Sequence, residues 1–185
     1  MNTSRTTTFI LSLFCLTLCL GFIKADKWVT IHVNKFGYQV DFPQKPTEQS
    51  QDIDSEIGKV KLNMYIYDAS EVSGEDNLVY MSNCTQHPAI DANALDSAQL
   101  AEFYERTIGG VANGVSGKLL TQKKIMLDNH DGREITVGYE DNKNTITMRL
   151  FVIDNKIYML QAIAKTEKTP NQSAARFFDS FKLTK

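Results

Sequence analysis

Residues 145–164 read TITMRLFVIDNKIYMLQAIA, and their pattern decides the fold. Two apolar segments, Thr145 to Ile153 and Ile157 to Ala164, flank Asp154-Asn155-Lys156. Asn and Asp tolerate positive φ or bond their own backbone, so this joint predicts a tight antiparallel hairpin. Residues 150–153 and 157–164 are apolar at odd and even positions alike, as in strands covered on both faces in the middle of a sheet. Something must then lie on each face.

Moving upstream, Leu119 to Leu127 and Arg133 to Tyr139 read as two more strands, joined through Asp128-Asn129-His130-Asp131-Gly132 and Asp141-Asn142-Lys143-Asn144. Gly132 is expected to supply a turn conformation that other residues resist. Downstream, Thr169 and Pro170 offer an N-cap and a first-turn proline, and Ala174, Phe177, Phe178 and Phe181 recur at helical spacing. A closing helix packed on the sheet is predicted. A second helix is expected to start near Asn93, with Asp96 complementing the free amides, and to weaken at Gly109-Gly110. Its stripe of Leu95, Ala98, Ala101, Phe103, Tyr104, Ile108 and Val111 is a packing face.

The first half adds strands. Trp28 to Val33 and Gly37 to Phe42 form an opening hairpin, ended by Pro43 and Pro46 in a polar loop. Residues 61–67 alternate, with Leu62, Met64 and Ile66 on the predicted dry side and Lys61, Asn63, Tyr65 and Tyr67 opposite. Leu78 to Cys84 reads as a strand covered on both sides, Val79 and Met81 facing away from Leu78 and Tyr80. Strands joined by hairpins and flanked by two helices make an α+β class with a largely antiparallel sheet.

The first eight residues carry Arg5 and no acid, and they run into the apolar stretch Phe9 to Ile23, followed by small Ala25 and polar Asp26. This is the layout of an export signal, shorter in its apolar part than a membrane-spanning helix. The expectation is a cut between Ala25 and Asp26, with residues 26–185 forming one domain in the periplasm or outside the cell. Neither Cys15 nor Cys19 follows a small residue, which argues against a lipid anchor, and no stable membrane anchor is expected after the signal is removed. The whole chain has 20 basic and 22 acidic residues, net −2. The removed segment holds Arg5 and Lys24 without an acid, so the domain is more negative still. Nucleic acid is therefore excluded as a partner, and the lone pair Lys123-Lys124 reads as a solvated strand end.

Short segments of the chain resemble the PsbP-like group, named for an extrinsic subunit of the photosynthetic water-oxidising complex and recurring in exported bacterial proteins. They are Gly37-Tyr38-Gln39-Val40-Asp41-Phe42-Pro43 with Lys45-Pro46; Gly132-Arg133-Glu134; Arg149 to Ile153 leading to Tyr158-Met159-Leu160; and Phe177 to Phe181 with Lys182. The resemblance implies an α/β/α sandwich about an antiparallel sheet and a binding or assembly role. It brings no catalytic motif, and no ligand set here aligns with the metal binding reported within the group.

One cysteine remains in the exported part, so no internal disulfide forms and Cys84 is read as a small buried hydrophobe. The sharper alternative pairs Cys84 with His87, three residues on, as thiol and base or as metal ligands, with His130 as a third group. His87-Pro88 also reads as a turn out of a strand, and His130 as part of a hairpin turn. Asp128, His130 and Asp131 lack the alternation and closing Glu of a calcium loop. His32 is expected on a sheet surface. The chain has no Gly-rich phosphate loop, no Gly-x-Ser-x-Gly and no His-Glu-x-x-His. No cofactor is expected, and the balance leans away from an enzyme. The expected partner is an envelope protein or a small ligand, a reading that an exposed aromatic and polar patch around Tyr65, Tyr67 or Tyr104 would favour.

Overall fold

The computed structural model describes residues 28–55, 58–86 and 90–184. The export signal, with Ala25 and Asp26, lies outside the described residues, as does His87. Along the chain run β1 (Val29–Val33), β2 (Tyr38–Phe42), β3 (Thr47–Ser55), β4 (Gly58–Asp68), β5 (Asn77–Gln86), α1 (Ser97–Gly114), β6 (Lys118–Leu127), β7 (His130–Tyr139), β8 (Asn144–Ile153), β9 (Lys156–Lys165), α2 (Gln172–Asp179) and β10 (Lys182–Leu183).

The hairpin that opened the sequence reading sits where its apolar pattern places it. β8 and β9 pair from Asn144↔Lys165 to Ile153↔Lys156. They are inner strands of an antiparallel seven-stranded sheet ordered β3-β4-β5-β9-β8-β7-β6. Asp154, Asp128 and the run Glu140-Asp141-Asn142 all take positive φ at the joints, the conformation these turns require.

Each face of the sheet receives a different cover. On one side, α2 and the small sheet β1-β2-β10 enclose an aromatic core that includes Tyr38, Phe42, Tyr80, Phe151, Tyr158 and Phe177. On the other side, α1 buries Tyr104, Ile108 and Ala112 against Ile135, Val137, Met148, Leu150 and Val152 of β7 and β8. This is an α+β fold with two main helices flanking a large antiparallel sheet.

Several local expectations are corrected. α1 is capped by Asp96, whose carboxylate accepts from the Ala98 and Gln99 amides at 2.9 and 2.8 Å, while Gln99 Oε1 accepts from the Asp96 amide. This reciprocal box satisfies orphan donors at the helix start. Asn93 stands in a preceding 3-10 turn instead, its amide donating to Asp154 at 3.0 Å. Gly109 and Gly110 do not end α1, because Ile108 and Ala112 anchor the helix on the sheet through them. α2 is capped by Asn171 rather than Thr169, and Pro170 precedes its first turn. β3, polar along its length, is an edge strand with no counterpart in the sequence reading.

Gly132 lies within β7 rather than in a positive-φ turn. A Cβ there would collide with the Phe151 ring, so close approach is what demands glycine. Lys123 and Lys124 lie inside β6 rather than at a strand end, both exposed. His32 is exposed on β1. No helix among the described residues is long and apolar enough to cross a membrane.

Candidate functional site

Cys84 lies on β5 in the core beneath α2 and β2, wholly buried with Tyr38 and Tyr158 in the same cluster. Burial pushes its thiol up to about 12, and the Lys156 charge offsets only part of that. A thiol of this kind is a poor nucleophile at neutral pH, since the thiolate is the reactive form. His130 does not approach it. Register runs Cys84↔Tyr158↔Phe151↔Gly132, across three strand spacings, which places β7 roughly 14 Å away. His130 lies two residues further along that strand, at its start. Among the described residues, no three His, Cys, Asp or Glu side chains gather into a cation site.

A groove of about 200 Å³ runs between α2 and the sheet, floored by Ala162, Ala164 and Thr147. Its charged groups are already engaged with one another. Glu134 meets Lys123 Nζ at 2.7 Å and Arg149 Nε at 2.6 Å, and Arg149 reaches on to Asp179 at 2.8 Å while lying over the Phe178 ring. Partial burial raises the Glu134 carboxyl, but the hydrogen bonds and charges of Lys123 and Arg149 outweigh this and hold it below its ordinary value. At the other end, buried Asn77 and half-buried Asn171 exchange amide hydrogen bonds at 2.9 Å in both directions. The network therefore docks α2 onto β5 and β8.

The aromatic patch expected around Tyr65, Tyr67 and Tyr104 is not on the surface. Tyr104 is fully buried, donating to the Asp131 carbonyl at 2.7 Å and accepting from the Val152 amide at 3.2 Å. Tyr67 is buried against Tyr80, and Tyr65 packs at the margin of the same core.

What is open is the sheet face that the sequence reading assigned to the dry side. α1 covers β7 and β8 but leaves the neighbouring stretch of β4, β5 and β9 partly exposed. Leu62, Met64, Ile66, Val79, Met81 and Ile163 stand there, each partly accessible. Their register proves the shared face, with Met64↔Asn83↔Met159 in one row and Ile66↔Met81↔Gln161↔Met148 in the next. Directly opposed residues of antiparallel strands point the same way. Sequence reasoning found the alternation of residues 61–67 but had no information on which face a helix would leave uncovered.

Compared with solved structures, the chain is similar to the solution structure of cyanobacterial PsbP (CyanoP) from Synechocystis sp. PCC 6803, with a TM-score of 0.57 over 88% of this chain and 96% of that one, at 12% identity. The fold is PsbP-like. A Pseudomonas aeruginosa protein of unknown function also aligns, with a TM-score of 0.37 and 8% identity over 77% of this chain and 86% of its own. No protein-family model matches the chain, and the curated proteins yield no match. At such identity the PsbP-like likeness speaks for architecture, and the chemistry of the site rests on the residues described above.

Proposed function

We propose that this is an exported, non-catalytic binding or assembly module that engages an envelope protein through the open face of β4, β5 and β9. The observation that carries this reading is the contrast between locked chemistry and an unlocked surface. Cys84 is sealed in an aromatic core, and the charged groups beside α2 are paired internally. The aliphatic and thioether side chains on the α1 side of the sheet remain partly accessible. Contiguous apolar surface of this kind marks contact with another apolar surface. The PsbP-like architecture supports the same reading, and the charge and hydropathy pattern of residues 1–25 supports export.

Site-specific photo-crosslinking in the native envelope tests it. A crosslinker at Ile66 is expected to trap one defined adduct, and a crosslinker at exposed Lys45 is expected to trap none. Equal yields at the two positions, or no adduct at Ile66, would refute the reading. Cys84→Ala is expected to leave the adduct intact.

A further inference from the structure

Four of the methionines, Met64, Met81, Met148 and Met159, come from four different strands and meet on this one face. Gln161 draws two of them together, its Nε2 lying 3.0 Å from Met159 Sδ and 3.7 Å from Met148 Sδ. Gln161 is also the direct cross-strand partner of Met81, so the Met159 sulfur is held beside the Met81 backbone position. Met64 and Met159 flank Asn83 in the adjoining row, and Met81 stands on the diagonal from both. Diagonal neighbours have α-carbons about 7–8 Å apart, a gap that long unbranched thioethers close.

Asn83 stands at the centre of that group, between Met64 and Met159, and is only 4% exposed. Its amide oxygen is a neutral acceptor among the thioethers. Met64, Met81 and Met159 are partly exposed around it, so the spot is reachable from solvent.

We infer that Met64, Met81 and Met159, with the Asn83 amide oxygen, form a binding site for a soft monovalent cation, Cu(I) or its analogue Ag(I). Thioether sulfurs select Cu(I) over hard cations, and a ligand set without carboxylates matches a single positive charge better than a double one. Thioethers also stay monomeric where thiols pair into disulfides, which suits an exported protein. The inference shares the open face with the reading above and rests on it only in taking that face as accessible.

The experiment is an anaerobic Cu(I) titration of the purified protein against a chromophoric Cu(I) chelator, run beside Met64→Leu, Met81→Leu, Met159→Leu and the triple variant. Leucine keeps volume and apolarity, so a docking surface survives where a sulfur site does not. One Cu(I) per chain is expected. Each single variant should weaken it by roughly tenfold or more, and Met126→Leu, on exposed β6, should change nothing. Ag(I) is expected to shift the methyl resonances of Met64, Met81 and Met159 and to spare Met126, which decides the matter even if the triple variant folds poorly. Failure to compete with the chelator, equal binding by the leucine variants, or uniform methyl shifts would overturn the site. None of these outcomes alters the Ile66 crosslink, so the cation site and the partner surface stand or fall separately.

Discussion

The two faces of the central sheet both carry apolar side chains and meet different fates. Beneath α2 and β2, aromatic rings interlock, with Phe177 against Phe42, Tyr80 and Phe178 at centroid distances of 5.1 to 5.4 Å. Beneath α1, a single helix covers β7 and β8 and stops short of β4 and β5. Residue alternation sets which side chains share a face. The covering elements set which face is dry. The closed face supplies stability and hides the thiol; the open face leaves its aliphatic and thioether side chains partly accessible.

Substituting Phe177 with Ala should show the closed face at its strongest. The side chain is completely buried, and its loss is expected to cost about 3–5 kcal/mol in denaturant unfolding. A loss below about 1 kcal/mol would mean that the two faces are energetically alike.

Alkaline titration sharpens the comparison through Cys84. The folded domain holds this proton up to about 12, against an ordinary value of 9.0, so the native state binds more protons than the unfolded chain between those values. Stability should therefore be intact below about pH 9 and fall as pH rises, with a slope approaching about 1.4 kcal/mol per unit. Buried Tyr38 and Tyr158 are also raised, chiefly by burial, and extend the loss above pH 10. Cys84→Ala should remove the first part of that slope in pH-dependent unfolding, and the native thiol should resist alkylation at neutral pH.

On the α1 side, Tyr104→Phe leaves the buried Val152 amide without its acceptor, for an expected cost of about 1–3 kcal/mol by thermal or denaturant melting. The smallest effect is expected at Ile66. Replacement by Ala on the open face should cost about 1 kcal/mol or less, and a core-sized penalty there would show the face to be covered.

Much of the fold was legible because it is written in local patterns. The β8–β9 hairpin was marked by two doubly apolar runs about an Asp-Asn joint, and the closing helix by Phe177, Phe178 and Phe181. Burial of Cys84 was expected because a lone cysteine in an exported domain is best tolerated as a small buried hydrophobe. β3 escaped because Thr47–Ser55 is an edge strand with little to bury, and its backbone pairing with β4 leaves no periodic signal. On β4, Leu62, Met64 and Ile66 outrank Lys61, Asn63 and Tyr65 in hydropathy, yet they are only half-buried, while Tyr65 and Tyr67 opposite them join the aromatic core. The methionine cluster had no sequence signature at all. Its members lie up to 95 positions apart, Met64 to Met159, and only the strand order β4-β5-β9-β8 assembles them.

The small sheet built from β1, β2 and β10 has a consequence for how the domain comes into being. Lys182 and Leu183 pair with Gln39 and Tyr38, Thr184 bonds the Gly37 carbonyl, and Ser180 accepts the amide of Asp41, 139 positions earlier. Contacts spanning nearly the whole polypeptide form late, since their loops must close first. The aromatic layer consequently stays unlatched until α2 and β10 have been made, and a partly made chain keeps its first strands loose. Such a chain stays pliable until its own far end arrives to close the layer.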